Sequence, residues 1–193
     1  MIGPHSYLAP GLGLAGGNLE RDLATVLRLA QAHGTDGGIV TAWLANSRHR
    51  REWTWRMLEA TGVGGRTDAA IAIWGLAYKE NTHSTKNSPA LALLKRLPSG
   101  AIAVYDPVVP ADAAGPKVKA ATSALAASEG ADALCIMTPW PEFKAIAPCE
   151  IAARMRGRVV LDPYRVLDPA AAQAAGLRYT TLGTAPMDQV PAC

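Results

Sequence analysis

Between residues 68 and 183 the chain alternates short apolar runs with helix-length spacers, and nothing else in it restricts the fold as strongly. The runs are Ala69 to Trp74, Ala101 to Tyr105, Ala133 to Met137 and Val159 to Leu161, with a more polar strand expected at Arg178 to Leu182. The spacers carry helical patterns at Ser88 to Leu97, Ser123 to Glu129, Pro148 to Arg154 and Pro169 to Ala175. Strands that are apolar throughout are buried on both faces, which predicts a parallel sheet covered by helices on either side. The expected domain is α/β, three-layered and Rossmann-like, with about five strands. The Pro- and Ala-rich segment from Val108 to Lys117 reads as an irregular crossover.

The first third follows another pattern. Gly62 to Thr67 is a Gly-rich linker and the best boundary, giving a Gly-rich loop with a helical hairpin over 1–62, the α/β domain over 68–183 and a loosely held tail over 184–193. Asn18 is expected to cap a helix running to His33, with Leu23, Val26, Leu27 and Ala30 on one face and Gly34 as the stop. A second helix is expected from Ile39 to Ala60. Its stripe of Ile39, Trp43, Asn46, Arg50, Trp53 and Met57 is longer than a two-helix hairpin can bury, so it needs the following domain, a further segment or a second subunit. Asn46 and Arg50 interrupt it, as solvated or paired interface groups or as ligand contacts. Gly11 to Gly16 satisfies G-x-G-x-x-G, but no buried strand precedes it, so it reads as a loop and not as a pyrophosphate site. Ile2-Gly3-Pro4-His5 reads as the middle of a longer segment.

Composition narrows the function. The 193 residues are 49% hydrophobic, enough for one domain and a smaller appendage, and the net charge of +3 is scattered, without a nucleic-acid or membrane footprint. Cys135, Cys149 and Cys193 show neither metal nor disulfide spacing, which suits a reducing cytoplasm and a site without metal. Cys135, inside an expected strand, reads as a core residue.

In a parallel sheet the ligand crevice lies beyond the carboxyl ends of the strands. Four of the expected strands are followed by polar or aromatic residues there: Tyr78 and Lys79, Asp106-Pro107, Thr138-Pro139-Trp140, and Asp162-Pro163-Tyr164-Arg165. Ser88-Pro89 is an N-cap with proline at the first helical position, and Lys79 and Lys86 flank the loop before it. Singly, Trp140 or Tyr78 reads as packing. Together, a ring stacker, a lysine and the planar fork of an arginine suit a ligand with an aromatic base and phosphates.

The strings G-L-A-Y-K-E-N-T from Gly75, T-K-N-S-P-A-L from Thr85, Y-D-P from Tyr105, G-A-D-A-L from Gly130, T-P-W-P-E-F from Thr138 and L-D-P-Y-R-V-L-D from Leu161 resemble the UDP-glucose/GDP-mannose dehydrogenase family. The resemblance covers nearly the whole chain. It implies the end of the family's central dimerisation domain and all of its C-terminal nucleotide-sugar domain, without the NAD-binding domain. It implies that Tyr78, Lys79 and Arg165 serve the nucleotide sugar and that Lys86 stands near the NAD phosphates, where relatives carry arginine. Relatives have a loop reading G-F-G-G-S-C-F-P-K-D; here Gly13 to Asp22 occupies it. The nucleophilic cysteine falls on Asn18, Arg21 replaces a lysine, and Asp22, which helps to activate water in relatives, is kept.

The family oxidises a primary alcohol of the sugar to an acid in two hydride transfers to NAD, through a thioester on that cysteine. An asparagine amide is no nucleophile at neutral pH, so Asn18 cannot form that intermediate. The leading reading is therefore a fragment or separately encoded half of an NAD-dependent nucleotide-sugar dehydrogenase, inactive alone, acting on a UDP- or GDP-sugar as a homodimer or with a missing NAD-binding half. The alternatives are a non-catalytic nucleotide-sugar binding or regulatory module, and a purely structural dimer with an empty sheet edge.

Overall fold

The computed structural model describes residues 10–98 and 100–184. The expected features at Ile2 to His5 and in the tail beyond Thr184, with Cys193, lie outside the described residues. Helix α1 (Asn18–His33) ends at Gly34, whose left-handed φ of 63° lets its own and the following amide close the last turn. Asn18 does not cap it: the N-cap is Gly17, without a side-chain bond, and Asn18 is the first helical residue. The second expected helix is two, α2 (Gly38–Arg51) and α3 (Trp53–Ala60), separated at Glu52. The break turns α3 toward the sheet domain, where Leu58 is fully buried and Trp53, Trp55 and Met57 pack against the core.

Six parallel strands follow: β1 (Ala70–Trp74), β2 (Ala101–Tyr105), β3 (Val118–Ala120), β4 (Ala133–Ile136), β5 (Val159–Leu161) and β6 (Arg178–Thr180), in the order β3-β2-β1-β4-β5-β6. The strand missing from the sequence reading is β3, three residues at the sheet edge after the irregular segment and its single 3-10 turn. The helices between strands are α4 (Pro89–Leu94), α5 (Ala124–Ala127), α6 (Pro141–Lys144), α7 (Pro148–Arg154) and α8 (Pro169–Ala174). Because crossovers between parallel strands are right-handed, a chain that leaves β1 in one direction and returns to its other side at β4 places helices on both faces. The α5, α7 and α8 helices touch in series on one of them.

The four β4 residues have no exposed surface. Trp74 and Phe143 stack at 5.2 Å beneath the end of β1, both fully buried. Burial alone raises the Cys135 thiol to about 12, as a core cysteine should be. Leu12, from the Gly-rich loop, belongs to this same core with only 1% of its surface exposed, as do Leu58 and Val63. The loop is thus pinned to the sheet domain and is not a free connector.

Candidate functional site

Strand β1 ends in Gly75, whose φ of 93° suits glycine and whose missing Cβ would lie 2.4 Å from Thr138 Cβ. Bare backbone there lets the end of β4 press against the end of β1, at the point where the strand order reverses. The four backbone polar groups of the next two residues are then bound by side chains. Thr138 Oγ1 donates to the Ala77 carbonyl at 2.7 Å and Ser88 Oγ to the Leu76 carbonyl at 2.7 Å. Asp106 Oδ2 accepts the amides of Leu76 and Ala77 at 2.7 and 3.0 Å, together with Trp140 Nε1 at 3.0 Å. Asp106 Oδ1 takes the Val108 and Val109 amides at 2.9 and 2.8 Å. Burial would raise this carboxyl, but the amides of Ala77, Val109, Leu76 and Val108 outweigh it and hold Asp106 below the ordinary aspartate range.

These contacts correct part of the sequence reading. Asp106, Thr138 and Trp140 do reach the carboxyl edge of the sheet, but their hydrogen-bonding groups are engaged in fixing the β1–α4 loop. Thr138 and Trp140 are buried. The side chains this brace leaves at the surface begin with Tyr78 and Lys79, both half-buried, with the Lys79 ammonium 5.8 Å from the Tyr78 ring centroid.

The Gly-rich loop closes over them. A Cβ on Gly16, which has φ 78°, would meet the Tyr78 ring at 3.0 Å, and one on Gly17 would meet the Lys86 Nζ at 2.7 Å. The Gly16 amide donates to the Lys86 carbonyl at 2.9 Å. Asn87, in the left-handed region at φ 54°, donates its amide to the Gly16 carbonyl at 2.7 Å and to Glu20 Oε2 at 2.5 Å. From the other side, Ser47 Oγ accepts the Leu14 amide at 2.8 Å and Arg51 donates to the Leu14 carbonyl at 2.7 Å. The loop after β5 joins as well: Tyr164 lies 3.6 Å from where a Gly11 Cβ would stand, and burial pushes its phenol pKa well up.

Residues on three separate segments therefore converge on one Gly-rich loop. Tyr78 and Lys86 meet it directly, next to Asn18. Lys79 adjoins Tyr78. Asn18 and Asp22 lie exposed near the start of α1, where Asp22 pairs with Arg21 at 3.2 Å. Arg165, exposed, adjoins the Tyr164 anchor. Among the described residues no group of three or more His, Cys, Asp or Glu could hold a metal ion, and no helix is long and apolar enough to cross a membrane. Sequence reasoning missed Asn87. The signal available was an asparagine, tolerant of left-handed backbone, directly before a Ser-Pro helix start.

A sequence profile of the UDP-glucose/GDP-mannose dehydrogenase family, UDP binding domain, matches residues 72–169, which is half of the chain and includes the whole β1–α4 brace. The chain belongs to this family. Among curated relatives, the UDP-glucose 6-dehydrogenase of Bacillus subtilis is 30% identical over 184 residues, 92% of this chain and 39% of that protein. The enzyme of the same name from Pseudomonas aeruginosa is 30% identical over 192 residues, 94% of this chain and 42% of its own length. A solved UDP-D-ManNAc dehydrogenase from Pyrococcus horikoshii superposes with a TM-score of 0.72 at 26% identity, covering 93% of this chain and 41% of that one. The chain spans about two-fifths of the length of the relatives it matches.

Proposed function

We propose that this chain is the C-terminal, nucleotide-sugar-binding part of an NAD-dependent dehydrogenase of the family, and that it does not turn over alone. The observation that carries this reading is the docking of the Gly-rich loop on the β1–α4 loop, with Gly16 on the Tyr78 ring and Gly17 on the Lys86 ammonium. Asn18, which follows Gly17 and in this reading takes the position of the relatives' cysteine, lies beside the loop that would hold the ligand. In this reading Tyr78 stacks on or hydrogen-bonds the nucleotide, while Lys79 and Arg165 meet its phosphates as point charge and fork. Lys86 offers a charge toward the NAD phosphates, and Asp22 remains the candidate for activating water. NAD supplies the hydride acceptor when bound. Residues 1–62 form part of the helical central unit, 68–183 the nucleotide-sugar unit and 184–193 the tail.

Asn18 limits the chemistry. It lacks a nucleophile, and its side chain makes no hydrogen bond among the described residues, so it is left to bind the sugar or to face solvent. Oxidation would then proceed, at most, from alcohol to aldehyde, or from a hydrated aldehyde without a thioester. The same observation supports the second reading, a binding or regulatory module that never forms NADH. Mixing the chain with an NAD-binding half and UDP-glucose, and following NADH absorbance, separates the two. NADH formation is expected from the leading reading; its absence with every sugar nucleotide, together with ligand-induced thermal stabilisation, would favour the module.

The helical segment needs a partner in either case. Leu19, Val26, Leu29, Ile39 and Trp43 are exposed, and Leu14, Leu19, Leu23 and Trp43 line an apolar groove of about 400 Å³. A second copy or the NAD-binding half would cover it.

A further inference from the structure

Three non-glycine residues have positive φ among the described residues: Asn81, Asn87 and Arg165, the last at 53°. Asparagine tolerates that region and arginine does not, so the Arg165 conformation persists only because its surroundings impose it. Asp162 supplies them. At the end of β5 and without exposed surface, its carboxylate accepts the Tyr164 amide at 3.2 Å and the Leu167 amide at 2.9 Å, and its carbonyl accepts the Arg165 amide at 3.4 Å. Donors before, at and after Arg165 thus converge on one residue. Asp162 is fixed in turn from the neighbouring strand: the Tyr179 hydroxyl donates to its Oδ2 at 2.8 Å and also lies 3.3 Å from the Leu167 carbonyl. Burial raises the pKa of both partners, Asp162 and Tyr179.

We propose that Tyr179 is a positioning residue for Arg165: through Asp162, its hydroxyl holds the 163–167 turn in the one conformation that presents the guanidinium to the anionic part of a nucleotide sugar. The ligand half of this inference rests on the function proposed above; the positioning half rests on geometry alone. Sequence reasoning had no access to it, because Tyr179 sits inside an expected strand, 14 residues from the arginine it serves.

Tyr179→Phe keeps the ring and removes the oxygen. Hydrogen exchange of the intact chain should show the Tyr164 to Leu167 amides opening about tenfold faster in this variant while β1 and β4 keep their protection. Unchanged exchange in that turn, or a uniform rise across the sheet, would overturn the proposal. If Tyr179→Phe fails to fold, Asp162→Asn is read in the same way. Calorimetric titration with UDP adds the second arm. Tyr179→Phe should weaken UDP binding about fivefold or more, and Arg165→Ala should weaken it in the wild-type chain but add little in the Tyr179→Phe background. Additive losses would contradict the coupling. A wild-type chain that binds no UDP would sink the proposed function, and the exchange arm would still decide the role of Tyr179.

Discussion

At the scale of single residues, the carboxylate of Asp106 is the piece on which the site loop depends. It accepts five donors, from the loop after β1, from its own turn and from Trp140. Asparagine cannot match them, because one of its two side-chain termini must present N–H groups to N–H groups. Asp106→Asn should therefore cost about 3 kcal/mol in urea denaturation, against about 1 kcal/mol for Trp140→Phe, which removes one donor and leaves the loop amides satisfied. Equal costs would show that the loop does not hang on the carboxylate. Acid titration separates three of the shifted aspartates. Asp106 and Asp132 have folded pKa values below the ordinary 3.8, the latter first through its Arg156 hydrogen bonds. Their contribution is present above 3.8 and lost as pH falls through the lowered values. Asp162 is raised by burial, so its contribution is present below 3.8 and lost as pH rises through its folded value. The variant Asp162→Asn should lose stability on acidification more steeply than the wild type above 3.8, because it lacks the compensating gain as Asp162 protonates. Identical slopes would contradict the assignment. The sequence showed that Asp106, Thr138 and Trp140 stand at strand ends. It could not show that the neighbouring loop's backbone uses up their hydrogen-bonding groups, since that depends on register across β1, β2 and β4.

At the scale of elements, the short apolar strands were legible because burial on both faces leaves a continuous run in the sequence. Val118–Ala120 was not: it is a three-residue edge strand with an exposed lysine in the middle, directly after the Pro- and Ala-rich segment read as irregular, whereas the other edge strand, Arg178–Thr180, carries the β-favouring Tyr179 and Thr180. The Ile39 to Ala60 stripe also continued smoothly through Glu52, where the helix in fact breaks, because Trp53, Trp55 and Met57 leave the α2 face to pack on the core. The Gly-rich segment was read as a loop, which it is, but its packing was not legible. Two of its glycines let Tyr78 and Lys86 approach, and Leu12 between them and the chain start is core. Leu12→Ala should cost about 2–5 kcal/mol, the range for a fully buried leucine, and a cost under 1 kcal/mol would show that the loop is not anchored. Gly16→Ala should destabilise more than Gly34→Ala. Both have positive φ, but only the first places a Cβ against a ring, while the second meets open space. Thermal melts of the two variants check the order.

At the scale of the molecule, one Gly-rich loop touches both the braced β1–α4 loop and an exposed apolar helical face. The exposed Leu19, Ile39 and Trp43 should drive association, so Trp43→Lys should lower the sedimentation coefficient at concentrations where the wild type associates; no change would remove this face as the interface. By the proposed function, ligand binding survives in this chain apart from oxidation. Its most direct test is a calorimetric titration of the chain with UDP and UDP-glucose, with Lys79→Ala in parallel and NAD present. The account predicts saturable binding by the wild type, roughly tenfold or more weaker in Lys79→Ala, as loss of a charge-assisted contact worth about 1.5–3 kcal/mol implies, and no NADH. Absence of binding by the wild type, or equal affinity in the variant, would contradict it.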